Sequence, residues 1–148
     1  MEENVGTMLA QVSRLMRRAF DVRARQIGVT RPQWQVLSHL ARHAGINQGG
    51  LAELLEVEPI TAGRMIDRLQ DAELVERRPD PTDRRAWRLY LTTRGAQLLD
   101  QLRPFAQDTY ELALEGIAEN ERAELMATLG RMRANLSRRA PAEIAANG

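Results

Sequence analysis

Apolar residues recur along most of this chain at helical spacing, and between residues 74 and 91 the spacing switches to that of strands. Met8, Leu9, Val12, Leu15, Met16, Ala19 and Phe20 form one stripe, which predicts a helix over about residues 8–27 that Gly28 stops. Thr30 and Gln33 form a capping box ahead of a second helix, running to about Ala44 with Val36, Leu37, Leu40 and Ala41 inward. Asn47 or Gln48 opens a third, with Leu51, Leu54 and Leu55 inward and Glu56-Val57-Glu58 as the turn after it. Pro59 suits the first turn of a fourth, where a missing N–H costs nothing. There Ala62, Met65, Ile66 and Leu69 face the core, and the helix ends near Ala72 to Leu74. Residues 74–78 read as a strand, and Pro79 to Asp83 as a turn that cannot continue it. Trp87, Leu89 and Leu91 then alternate with Arg88 and Tyr90 as a half-buried strand. Thr92 or Thr93 caps a long helix to about Ile117, in which Pro104 predicts a kink. Asn120 caps the last helix, where Leu125, Leu129, Met132 and Leu136 repeat as a coiled-coil-like seam. From Ala140 the tail is expected to be loose.

The predicted class is mainly α with a small β-hairpin: a winged helix-turn-helix flanked by terminal helices. Charge sharpens the picture. The span 75–94 holds six arginines (77, 78, 84, 85, 88, 94) against three acids (76, 80, 83), a net +3 in a chain whose total is +1. A basic stripe on a near-neutral protein is the footprint of a phosphate-binding surface. On the fourth helix Thr61, Arg64 and Arg68 fall at i, i+3 and i+7, on a face apart from the apolar one. That helix can lie in a major groove while the hairpin tip reaches the minor groove beside it. Gly49 and Gly50 weaken the third helix by ~1 kcal/mol each relative to Ala, and close approach of backbone to phosphate is one reason for them.

At these residues the chain resembles the MarR family of transcriptional regulators, its SlyA-like branch in particular. The strings that carry the resemblance are Leu51-Ala52-Glu53-Leu54-Leu55, Ile66-Asp67-Arg68-Leu69, Leu74-Val75-Glu76-Arg77-Arg78, Asp83-Arg84-Arg85-Ala86 and Leu91-Thr92-Thr93-Arg94-Gly95, in order over about 45 residues. The resemblance implies a two-fold dimer held by its terminal helices. Residues 1–148 are then one domain, with residues 30–95 as the DNA-binding lobe and residues 5–28 and 96–139 as the dimerisation lobe. Such a dimer reads a palindromic double-stranded site, with recognition helix 59–73 in the major groove and wing 79–86 in the minor groove. Arg64 is placed to read a base edge, with Thr61 and Arg68 in support. By resemblance Arg85 enters the minor groove, Asp83 orients its guanidinium, and Arg84 and Arg77 hold phosphates. The same resemblance implies a pocket for a small aromatic carboxylate, with Arg17 forking to the carboxylate and Trp34 as a flat wall. From its own position, Trp34 reads equally as core or as cavity lining.

Composition narrows the alternatives. There is no cysteine, which removes disulfides, thiolate metal sites and thiol redox sensing. His39 and His43 stand i, i+4 with no third ligand nearby in sequence, and a polar helix face is the simpler reading. All 21 basic residues are arginine. No catalytic triad, metal motif or phosphate loop is present, so an enzyme is not expected, and neither is a cofactor. No apolar run reaches membrane-spanning length and no signal core opens the chain, so no membrane partner and a cytoplasmic location are expected. The competing reading is an architectural or protein-binding winged helix with little DNA sequence preference.

Overall fold

The computed structural model describes residues 2–138. Its order is α1 (Val5–Arg25), α2 (Arg31–Arg42), α3 (Gln48–Leu55), α4 (Pro59–Asp71), β1 (Val75–Pro79), β2 (Trp87–Leu91), α5 (Thr93–Ala113) and α6 (Glu119–Ser137). The chain divides into two compact units, Met1–Tyr110 and Glu111–Gly148. The predicted loose tail lies outside the described residues.

Local chemistry sets the boundaries. Asn4 caps α1, whose first residue Val5 lies three before the predicted start, by accepting the Thr7 N–H. Gly28, at φ +77°, takes the left-handed turn after the helix. The Thr30–Gln33 capping box is present, and α2 ends at Arg42 rather than Ala44. Asn47 opens α3 by accepting the Gly50 N–H. The turn after α3 has no glycine because Glu56 itself adopts the left-handed conformation at φ 56°, a conformation that costs a non-glycine residue ~1 kcal/mol or more. Pro79 remains in the antiparallel ladder as its last residue, opposite Trp87. The Gly45 N–H donates to the Leu89 carbonyl and the Leu89 N–H to the Ile46 carbonyl, so the loop before α3 forms a short third rung beside β2.

The core of the first unit is Val36, Leu37, Leu40, Leu51, Ile66, Leu69, Leu74, Val75 and Leu89. Ala41 and Leu54, expected inward, are exposed. Each lies at the edge of its helix's buried arc. A second cluster, Ala24, Val29 and Leu102, packs with Phe20, Trp34 and Phe105 and joins α1 and α5 to the lobe. Asp21 is buried there, accepting from Arg31 Nε at 2.7 Å and from Trp34 Nε1 at 2.8 Å. The junction of β2 and α5 explains the Leu-Thr-x-x-Gly string. Thr92 caps α5 by accepting the Gly95 N–H at 3.0 Å, and its hydroxyl donates to the Glu73 carbonyl at 2.6 Å. A Cβ on Gly95 would lie 2.1 Å from the Leu74 carbonyl oxygen, so only glycine fits.

The terminal helices contrast with this. Met8, Leu9, Val12 and Leu15 on α1 are exposed, as are Leu125, Met126 and Leu136 on α6, which buries no residue. Two sequence expectations are corrected in the second unit. Asn120 does not cap α6; Ala118 holds the cap position without a side-chain bond, and Asn120 lies within the first turn. The helix before it stops at Ala113, and Arg122 donates to the Leu114 and Ile117 carbonyls that follow. No helix among the described residues is long and apolar enough to cross a membrane.

Candidate nucleic-acid interface

Helix α4 buries Ala62, Gly63, Ile66 and Leu69 and turns Thr61, Arg64, Asp67 and Arg68 to solvent. Gly63 extends the apolar stripe where α3 crosses closely: a Cβ there would meet Gln48 Nε2 at 2.8 Å. The same Gln48 amide donates to the Pro59 carbonyl at 2.9 Å, fastening the start of α3 to the first turn of α4. Gly50 sits against Ile46, whose Cγ1 lies 2.8 Å from where a Cβ would stand. That packing accounts for Gly50; a Cβ on Gly49 would meet only the Asn47 side chain, at ordinary contact distance.

The hairpin arginines divide into two groups. Arg77 is engaged by α4: its guanidinium donates to Asp67 at 2.7 Å, to the Gln70 side chain and to the Gly63 carbonyl. It therefore clamps the wing base to α4. Arg78 pairs with Glu76 and lies over the Tyr90 ring at 4.1 Å. Arg88 pairs with Asp80 at 2.9 Å and Arg94 with Glu73 at 3.4 Å. By contrast, Arg64 and Arg68 on α4, with Arg84 and Arg85 at the wing tip, are exposed and make no ion pair among the described residues.

Two acids order the tip. Asp80 accepts from the Thr82 N–H and hydroxyl, each at 2.8 Å, from the Asp83 N–H at 3.2 Å and from Arg88 Nε at 2.9 Å. The Thr82 backbone N–H first, then Arg88 and the Thr82 hydroxyl, hold the Asp80 carboxyl well below the usual carboxylate range. Asp83 was expected to orient the Arg85 guanidinium. It accepts the Arg85 backbone N–H at 2.9 Å, so it shapes the turn that carries Arg85. Sequence reasoning missed Asp80, although an Asp two residues before a Thr in a Pro-rich turn is the signature of an Asx-turn. It also missed Trp87, grouped with buried Leu89 on the apolar face of its strand but 50% exposed, and Ile60, exposed in the first turn of α4.

Arg17 is exposed on α1, and Trp34 packs edge-on against Phe20 at 4.8 Å with its indole N–H given to Asp21. Neither lines the groove between the wing and α3 nor the cleft beside Arg94. Burial first, then the charges of Arg42 and His43, hold His39 below the ordinary imidazole value. Among the described residues no group of three or more potential ligands is placed to hold a metal.

Helix, hairpin and rung together form a winged helix-turn-helix, and known proteins share it over nearly the whole chain. The sequence signature described as MarR family matches residues 27–86. The transcriptional repressor NicR of Pseudomonas putida is 32% identical over 88% of this chain and 82% of its own length. The chain belongs to the MarR family. The free form of E. coli MarR superposes with a TM-score of 0.80 at 27% identity, covering 89% of this chain and 98% of that one. A MarR mutant complexed with operator DNA superposes at 0.72 with 28% identity, over 86% and 92% of the two chains. This MarR-family chain is a DNA-binding transcriptional regulator and not an enzyme.

Proposed function

We propose that this regulator acts in the cytoplasm as a homodimer on a palindromic operator, as a ligand-responsive member of the SlyA-like branch. Residues 30–95 form the DNA-binding lobe, and residues 5–28 and 96–139 the dimerisation lobe. The observation that carries the reading is the division of cations. The wing's other arginines are tied internally, and Arg64, Arg68, Arg84 and Arg85 are held out on α4 and the wing tip with no ion-pair partner among the described residues. Arg64, supported by Thr61 and Arg68, reads base edges in the major groove, and Arg85 enters the minor groove on a turn shaped by Asp80 and Asp83. Arg84 holds phosphate; Arg77 does so only on leaving Asp67. The exposed apolar faces of α1 and α6 support the dimer.

Arg17 and Trp34 are the proposed ligand contacts for an aromatic carboxylate. Since the Trp34 N–H is bonded to Asp21, Trp34 would serve as an apolar wall only. A ligand that fixes the spacing of the two recognition helices weakens DNA binding by its differential affinity for the two states. Selection from a random-sequence duplex library, followed by footprinting, tests the reading. A palindrome with half-sites about one turn apart is expected. Recovery of unrelated sequences at equal affinity would instead favour an architectural protein. Salicylate should weaken binding of the selected duplex in wild type and not in Arg17→Ala.

A further inference from the structure

Trp87 shares its strand face with Leu89, which is fully buried, yet its own side chain is half in water. Tryptophan, apolar in body and polar at its N–H, is enriched at interfaces where one side is apolar and the other wet. The indole lines a groove of about 360 Å³ shared with Asn47, Gln48 and Gly49 at the start of α3 and with Arg77 and Arg85. One end of this groove is the wing tip, where Arg85 has no ion-pair partner among the described residues. The other is the start of α3, which Gln48 fastens to the first turn of α4 through the Pro59 carbonyl. The groove thus leads from the start of α3, beside the first turn of the recognition helix, to the wing tip. Its lining combines apolar Ala86, Trp87 and Leu89 with the cations Arg77 and Arg85. That combination matches a deoxyribose flanked by phosphates, and it lies where a strand must pass between a major groove filled by α4 and a minor groove filled by the wing.

We propose that Trp87 packs against the sugar–phosphate backbone between the two groove contacts, a sequence-independent contact that sets how deeply the wing sits. The inference rests on the DNA-binding reading above. Because the indole carries no charge, it adds affinity without releasing counterions, which separates it from Arg85.

The test uses the full chain and the duplex selected from the random library. The chain has two tryptophans; with Trp34→Phe, Trp87 is the only emitter. Adding duplex should shift its emission to the blue and protect it from acrylamide. Trp87→Ala should bind the selected duplex and unrelated duplexes roughly ten-fold more weakly, the scale expected for losing half of an aromatic burial. The slope of affinity against salt should stay unchanged, and Trp87→Phe should restore most of the loss. If Trp34→Phe fails to fold, the difference between wild-type and Trp87→Phe emission gives the same readout. Tight binding of the duplex with Trp87 emission and Trp87→Ala affinity unchanged overturns the proposal and leaves the DNA-binding reading standing. Emission that follows protein concentration instead of added duplex assigns the groove to a second copy and also overturns it. Absence of any sequence-selective binding by wild type removes the reading and this inference together.

Discussion

The winged lobe and the terminal helices use the same kind of residue to different ends. In the lobe, Leu37, Leu40, Leu51, Ile66 and Leu89 are almost wholly removed from water by one another. On α1 and α6 comparable residues stay in contact with it, Leu15 at 54% and Leu136 at 62% exposure. Helical spacing makes a stripe in both places, but the stripe is fully covered in the lobe, whereas the first half of α1 and much of α6 stay exposed. A lobe of three helices and a hairpin closes on itself, whereas a lone amphipathic helix has one apolar face and nothing of its own to cover it. The difference teaches that the fold has a self-sufficient part, where side chains are chosen for packing, and a part whose exposed apolar faces are where the proposed second copy docks.

The largest effect should come from the self-sufficient part. Leu37→Ala leaves a cavity in a filled core and should cost ~2–5 kcal/mol, read as a lower urea midpoint; a change below ~1 kcal/mol would mean that the lobe is loosely packed. Next, replacing Leu129 and Leu136 together by Asp places charges where a second copy is proposed to dock. Sedimentation at micromolar concentration should then give monomer in place of dimer, and a folded, unchanged dimer rules out this interface.

Smaller effects separate the free cations from one another. Arg64→Ala should lose ~1–3 kcal/mol of binding and relax specificity at one position per half-site. Arg85→Ala should weaken binding mostly at A·T-rich flanks and lower the salt slope by about 1. Equal losses on every sequence for both variants would remove the division of roles. The smallest effect is on pH. Asp80 is held below its ordinary value in the folded wing, so its contribution is complete above about pH 4, the range of a free Asp. That contribution is lost only as pH falls through the lower folded value. Thr82 and Asp83 amide exchange should therefore be unaffected by Asp80 titration between pH 7 and 5, whereas Asp80→Asn should raise it across that range. Exchange that rises in wild type with a midpoint near pH 5 would contradict the ordered tip.

The helices, the hairpin and the identity of the lobe were legible in the chain because they rest on local rules. Thr30 with Gln33 forms its capping box with neighbours alone. The alternation of Leu89 with Arg88 and Tyr90 needs only the pleat. What local rules did not give was where an element begins and which distant groups reach a side chain. Asn120 looked like a cap, but α6 begins a residue earlier, at Glu119. Arg77 was read as a phosphate contact, and the partners that α4 brings to it, Asp67 and Gln70, were not legible in the chain.

What the sequence determined by itself was the set of elements, their buried faces and the surplus of arginine around the wing, since spacing and composition are properties of the chain. Which arginines are left free was decided only in three dimensions, because ion pairing depends on which acids the packing of α4 against the hairpin brings within reach. The same holds for Gly95, whose place is dictated by a carbonyl from residue 74. It holds for Trp87 as well: period-two alternation assigns it an inward face, and the edge of the core, which no alternation can locate, leaves it half in water.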